Sequence, residues 1–386
     1  YEALGTTLAA HSEQLDDIFD RLVHVRDRMA KKMGYENFIE LGYCRMERMC
    51  YDVQAVQTFR ENIVHDIVPV VSRLRLENAK RLGMDTFRLY DNEVFAPGGD
   101  PTPCGKEALF AAAQMMYDDM GDVPGAFFRM MCQNEAFDVD ARPNKWGGGY
   151  CTEFVKYHQP FILANFNGTS GDVDVVTHEA GHALNAYLIA DNRFALELGC
   201  GGMETAETHS MSMEFFAWPY LDGFFPKAGD AQRYRYQHAL DALSFLPYGA
   251  MVDEFQHRVY AEPDLTPAGR NAVWLELEAK YRPYIDQRGI PYLERGTRWQ
   301  YQMHIYETPF YYIDYCLAQT AAFQFLLASQ GDYDSAFARY LHLSEQGGEK
   351  LWTDLLTEAG FRSPFAPGAL AQLAAQVEPL IRRQNI

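Results

Sequence analysis

The sequence is short of positive charge. Its 386 residues carry 34 Lys and Arg against 53 Asp and Glu, a formal net charge of −19. Such a surface repels phosphate backbones and anionic lipid headgroups, so neither nucleic acid nor a membrane is an expected partner. No apolar run approaches the ~20 residues needed to cross a bilayer. Cysteine is sparse and unpatterned: Cys44, Cys50, Cys104, Cys132, Cys151, Cys200 and Cys316 are an odd set without a C-x-x-C pair. That excludes a cysteine zinc site or dithiol redox motif and suits a reducing cytoplasm. The opening YEALGTTLAAHSEQLDD has no initiator Met and no basic stretch followed by an apolar one. No secretory signal is read there, and a preceding region is expected to be missing. Low-complexity tracts and internal repeats are absent too.

Hydrophobic residues make up 48% and charged residues 23%, the balance of a globular protein with a large core. Residues 12–83 carry apolar residues at three-to-four spacing and read as helical, with a kink or break expected at Pro69. A loop rich in Pro and Gly follows at 91–104, then a helical stretch at 106–133. Residues 142–172 differ in texture, with Gly, aromatic and β-branched residues between turns. They predict strands near 149–155 and 161–166. From 173 onward the pattern is again helical, with breaks near 199–202, 263–269, 289–291, 347–348 and 363–368. The expected fold class is mainly α with one small β-sheet, in a single large domain over 1–386. Residues 1–140 are its first helical part, 142–172 its sheet and 173–386 its second helical part.

The segment DVVTHEAGHALNAYLIA contains His178-Glu179-Ala180-Gly181-His182. Histidines at i and i+4 share a helical face, about 5–6 Å apart at Cβ, close enough for two imidazoles to hold one Zn2+. Glu179 is placed to reach a water on the metal rather than the metal itself, the H-E-x-x-H arrangement of zinc peptidases. Only three positions are fixed, so a surface helix with two solvated histidines competes with this reading. The apolar flanks Val175-Val176, Ala183-Leu184 and Ala186-Tyr187-Leu188-Ile189 argue instead for a buried helix. Buried histidines on one face need partners, and a metal is a natural one. The third ligand is less local. An H-x-x-G-x-x-H continuation is excluded by Asn185 and Leu188, and a thermolysin-like Glu about 20 residues on is excluded by Gly201 and Gly202. Glu197, Glu204, Glu207 and Glu214 remain as acidic candidates.

THEAGHALNAYL followed by ETAETHSMSMEFF resembles the thimet oligopeptidase and oligoendopeptidase F family of zinc peptidases. NKWGGGYCTEFVKYHQPFILANFNGTSGD is similar to that family's strand region, and HIYETPFYYIDYCLAQ to its His-and-Tyr segment. Thr308-Pro309-Phe310, where the thimet branch has a glycine-rich stretch, favours the oligoendopeptidase F branch. The resemblance runs over essentially the whole chain. It implies a zincin-type catalytic domain with helical lobes around a deep cleft. It implies Glu207, 25 residues past His182, as third ligand, and one Zn2+ per chain, although Mn2+ or Co2+ would also suit these ligands. It implies cleavage of internal bonds in short unfolded peptides, with Glu179 as general base. His304, Tyr311 and Tyr315 are the implied contacts to the transition state, favoured over Tyr312. Relatives usually carry a further N-terminal helical region, which this chain is expected to lack.

Gly148, Gly149 and Tyr150 are candidates to receive the substrate backbone by strand addition, glycine permitting close approach; a tight turn is the competing reading. Asp174 and Glu204, one turn before His178 and Glu207, are candidates either to orient a ligand or to serve as ordinary helix N-terminal acids. His209 reads as structural. His24, His65, His158, His238, His257 and His342 show no partner pattern. Two other functions compete. An aminopeptidase would need a G-x-M-E-N anchor, and GGMET at 201–205 lies after the metal motif rather than before it. A non-catalytic peptide-binding protein on a peptidase scaffold would have no need of Glu179.

Overall fold

The computed structural model describes residues 1–190, 198–199 and 201–384. Two compact units are assembled from interleaved stretches: Tyr1–Pro97, Leu240–Cys316 and Pro364–Ala374 form one, and Gly98–Ala239, Leu317–Ser363 and Ala375–Ile386 the other. The three consecutive zones read from the sequence do not coincide with these boundaries. The architecture is mainly α with one small sheet, as expected.

The first stretch holds α1 (Glu2–Ala10), α2 (Ser12–Lys32), α3 (Phe38–Arg45), α4 (Val53–Asn62) and α5 (Val68–Arg81). Residues Ile63–Ile67 form one π-helical turn between α4 and α5, and Pro69 lies in the first turn of α5. Proline has no amide for the helix ladder, so the regular helix is interrupted just before it. The second stretch holds α6 (Lys106–Asp119), α7 (Asp122–Gln133), β1 (Phe137–Asp140), β2 (Tyr150–Phe154), β3 (Gln159–Phe166), α8 (Gly171–Ile189), α9 (Met203–Phe216), α10 (Leu221–Phe224) and the start of α11 (Asp230–Ala261). After α11 come α12 (Pro267–Tyr281), α13 (Met303–Glu307), α14 (Tyr312–Ser329), α15 (Tyr333–Ser344), α16 (Trp352–Glu358) and α17 (Ala369–Gln384).

In the unit that contains the sheet, the strand order is β1-β3-β2. Strand β3 pairs parallel with β1 and antiparallel with β2. The sheet therefore begins upstream of residue 142, where the sequence reading placed its start. FDVD is four residues long with two acids, too short and too polar to stand out beside the helical pattern before it. Its Phe137 joins Phe110, Phe128 and Tyr117 in an aromatic cluster that ties α6 and α7 to the sheet. Helix α8 lies along β3 and β2, and α9 folds back along α8.

In the other unit, Phe19, Trp299, Phe255, Trp274 and Tyr306 form the aromatic centre. Phe310 adopts φ +71°, a conformation that costs a non-glycine residue energy unless its surroundings hold it. Its amide donates to Gln256 Oε1 at 3.1 Å and its carbonyl accepts from Arg48, which also bonds Asp314 at 2.8 Å. The Phe310 ring fills the space over Gly42, where an added Cβ would come within 2.5 Å of it.

Helices α11 and α12 are joined by an ion pair, Lys280 Nζ to Glu254 at 2.7 Å. Burial pushes the Glu254 carboxyl up, but Lys280 and the Tyr281 hydroxyl outweigh it and hold it below the usual range. A depressed carboxyl stabilises the fold above its unfolded pKa of roughly 4.3 and loses that contribution as pH falls through the folded value. Urea midpoints should therefore drop more steeply between pH 5 and 3 in the parent than in Glu254→Gln; equal slopes would show that this pair contributes nothing.

Candidate metal centre

Helix α8 starts beyond a turn fastened by Asp172, whose carboxylate accepts from the amides of Asn167 and Gly168 at 3.0 and 2.8 Å. Two turns into the helix, His178 and His182 face the same way, with ring centroids 5.2 Å apart. Helix α9 brings Glu207 to them: Oε2 lies 3.4 Å from His178 Nε2 and 3.5 Å from His182 Nε2. The backbones approach this closely because residue 181 is glycine. A Cβ there would sit 2.7 Å from both the His209 carbonyl oxygen and Ser210 Cα. Ser210 Oγ also donates to Glu207 Oε2 at 2.9 Å, steadying the carboxylate.

These three residues fit a zinc ion. Tetrahedral nitrogen and oxygen donors bound at 2.0–2.2 Å lie about 3.4 Å from one another, the spacing seen here. The His178, His182 and Glu207 ligand atoms all fall within 4.8 Å of one another. The local field also calls for a cation. Burial disfavours charge on His178, yet its hydrogen bonds to the Glu207 and Glu214 carboxylates outweigh it and raise its pKa well above the ordinary value. Burial likewise opposes ionisation of Glu207, but His182 and His178 hold its pKa well below the usual range.

Glu214 sits two turns beyond Glu207 on α9, and its role was not read from the sequence. Its Oε1 is 2.6 Å from His178 Nδ1, and its Oε2 is 2.6 Å from His238 Nε2. Burial pushes this carboxyl up, but the two histidines bring it down to about 2, so it is an acceptor. His178 Nδ1 is therefore the donor, which leaves Nε2 to face Glu207 and a metal. His238 in turn accepts from Trp218 Nε1 at 3.0 Å and stacks on Phe215 at 4.7 Å. The seven-residue interval from Glu207 puts Glu214 on the same helical face, a signal the sequence did contain. His238 has no such signal. Asp174, one turn before His178, accepts from the Tyr234 hydroxyl. Glu204 is buried near the start of α9, and Glu197 and Cys200 lie outside the described residues. Glu214→Gln should weaken zinc binding by about 10–100-fold, measured by competition with a chromophoric chelator. Unchanged affinity would show that His178 needs no such partner.

Glu179 is buried beside the ligands. Burial pushes its pKa up against the pull of His178 and His182. Gly149 lies against it, so close that a Cβ on residue 149 would be 3.3 Å from Glu179 Oε1. Gly148 has φ +116° and packs on the Trp146 ring, and Tyr150 opens β2, pairing with Leu163. Among the described residues β2 is the last strand on its side of the sheet, and Tyr150 and Phe154 on it are exposed. His209 is buried on α9. Burial, with His182 adding, pushes its pKa down to about 3. It sits 3.1 Å from Ser344 Oγ, a neutral packing histidine.

His304, Tyr311 and Tyr315 form a group of their own in the other unit. The His304 ring lies 6.0 Å from Tyr311 and 6.2 Å from Tyr315, and the two tyrosines are 4.7 Å apart. Tyr312 also joins this group, 5.0 Å from His304, and burial raises its hydroxyl pKa well above the ordinary value.

Comparison with known proteins gives the family. The family model of peptidase family M3 matches residues 122–375, more than half of the chain and all of the metal centre. Oligopeptidase PepF of Bacillus subtilis (strain 168) is 23% identical over 320 residues, 78% of this chain and 45% of that protein. The chain thus spans less than half the length of that curated relative. Among solved structures, PZ peptidase A with inhibitor 2 is 44% identical over 99% of this chain and 68% of its own, with a TM-score of 0.96. One named an oligoendopeptidase F from Bacillus anthracis str. Ames is 39% identical over 97% and 64%, with a TM-score of 0.86. The chain belongs to peptidase family M3.

Proposed function

We propose that the protein is a zinc-dependent endopeptidase that cuts internal bonds of short unfolded peptides. The observation that carries this reading is the convergence of His178, His182 and Glu207, with Glu179 buried alongside them. His178 and His182 would hold the ion through imidazole nitrogens and Glu207 through a carboxylate oxygen. A bound zinc ion supplies Lewis-acid polarisation of a carbonyl and lowers the pKa of a water. Glu179 takes a proton from the attacking water at its carboxylate and returns it to the departing amide nitrogen. Its raised pKa suits both halves of that task. Gly149 and the free edge of β2 receive the substrate backbone as an added strand, since nothing larger than hydrogen on Gly149 keeps the peptide from Glu179.

His304, Tyr311 and Tyr315 are assigned to the developing oxyanion as hydrogen-bond donors. Support comes from the resemblance of their segment to the family's and from the cluster that their rings form. A reducing cytoplasm is the proposed location, supported by scattered single cysteines with no C-x-x-C pair. No described helix is long and apolar enough to cross a membrane.

The test is cleavage of an internally quenched peptide of about eight to ten residues, blocked at both ends, with and without chelator. Internal cutting that the chelator abolishes and zinc restores is the expected result, with one zinc per chain by metal analysis. Cleavage indifferent to chelation, or no bound metal under replete conditions, would overturn the assignment.

A further inference from the structure

A hydrogen-bond chain whose donors are fixed one by one leads to His304. Arg298 Nη1 donates to the Tyr248 oxygen at 2.6 Å, Tyr248 O–H donates to Gln302 Oε1 at 2.7 Å, and Gln302 Nε2 meets His304 Nδ1 at 3.0 Å. A guanidinium has donors only, so the Tyr248 oxygen accepts from Arg298 and its single proton goes to the Gln302 oxygen. With the amide oxygen engaged, its NH2 faces His304, and Nδ1 must be the acceptor. A neutral imidazole with a bare Nδ1 carries its proton on Nε2. The reverse arrangement would turn the Gln302 NH2 toward a hydroxyl that already accepts from Arg298. The hydroxyl proton would then have no acceptor bonded to it among the described residues. The phenol itself is held between two cations, with the Arg282 and Arg298 guanidinium carbons 4.8 and 5.0 Å from its ring centroid.

We propose that Arg298, Tyr248 and Gln302 are positioning residues that lock neutral His304 as an Nε2–H donor to the substrate carbonyl on which negative charge develops. The inference rests on the role given to His304 above and specifies how it acts. In water a neutral imidazole divides between two tautomers, only one of which can donate from Nε2. Fixing that tautomer before the substrate arrives removes a reorganisation step from the reaction, which is where preorganised donors gain their effect.

The discriminating variant is Gln302→Glu, nearly isosteric with the parent. A carboxylate can only accept, so it draws the proton to His304 Nδ1 and leaves Nε2 bare whenever the ring is neutral. The imidazolium, which the new charge favours, still donates from Nε2. Gln302→Glu should therefore work as the parent does at acid pH. On the alkaline side it should lose about 10²-fold in kcat, with KM little changed. The pH profile would gain a basic limb beyond any that the parent shows. Gln302→Leu, which withdraws all direction from the ring, should lower kcat without a new limb, and it carries the test if the charged variant folds poorly. His304→Phe, assayed on the same blocked quenched peptide, separates the two layers of the argument. If His304→Phe lowers kcat while both Gln302 variants keep the parent's kcat and profile, the lock is overturned and the donor role stands. If His304→Phe cuts as the parent does, the donor role falls and the lock with it.

Discussion

Replacing Glu179 with glutamine is expected to give a protein that holds zinc as the parent does and cuts peptide about 10²–10⁴-fold more slowly. The side chain is buried, so the substitution must not change its volume, and glutamine does not. What it removes is the capacity to take a proton. The carboxyl's ordinary pKa would make it a weak base near neutrality. Burial raises that pKa, against the opposing pull of the neighbouring His178 and His182. Glutamine keeps the hydrogen-bonding shape and has no proton-accepting equilibrium at all. The measurement pairs kcat on the blocked quenched peptide with zinc content of the purified variant. Turnover within a few-fold of the parent would remove Glu179 from the base role. Loss of zinc along with turnover would instead place Glu179 among the ligands.

The second large effect is expected at a residue that takes no part in the chemistry. Gly181→Ala adds one methyl group at a point where the nearest atoms, at 2.7 Å, are backbone atoms of His209 and Ser210. Backbone within a buried helix cannot rotate aside as a side chain does, so α9 must retreat from α8 by several tenths of an ångström. Overpacking of this kind costs about 1–3 kcal/mol, against which alanine's better helix propensity returns up to ~1 kcal/mol. The consequence for the metal is larger than the consequence for the fold. Glu207 rides on α9 and both histidines on α8, so the retreat opens the 3.4 and 3.5 Å spacings that suit a shared ion. Zinc affinity should fall by at least about 10-fold, comparable to loss of a ligand-supporting partner. Gly105→Ala is the control, since nothing lies within 4 Å of a Cβ there. A Gly181→Ala protein with parental zinc affinity would show that α9 is free to shift without cost.

How much of this was legible beforehand follows the distance over which each feature is encoded. His178, Glu179 and His182 are specified within one helical turn and a half, and their spacing alone gives the chemistry. Glu207 lies across a loop, where spacing leaves four acids in contention, and only the resemblance singled it out. Glu214 was within reach, seven residues on along the same face, but it was weighed as a ligand rather than as a partner of one. His238 and Trp218 become meaningful only when α11 returns to α9, and no local pattern announces that. The same holds for Tyr248 and Gln302, 54 residues apart in sequence and joined by one hydrogen bond. Helical zones and the Pro69 interruption were readable because periodicity and proline act locally. Strand β1 was not, because four residues of FDVD carry too little alternation to compete with the helix before them. The left-handed backbone at Phe310 defied its residue type altogether: packing over Gly42 and bonds to Arg48 and Gln256 impose it.

The interleaving of the two units bears on how the chain can fold as it is made. The first 97 residues supply five helices, yet the unit they belong to also draws on Leu240–Cys316 and Pro364–Ala374. At elongation rates of roughly 5–20 residues per second, the ribosome takes on the order of tens of seconds to deliver those later stretches. Through that interval the helices of residues 1–97 lack the contacts that the later stretches make with them, among them Trp299 and Tyr306 on Phe19. Nascent chains arrested before residue 240 should accordingly remain protease-sensitive in their first 97 residues and should engage chaperones that bind exposed apolar helices.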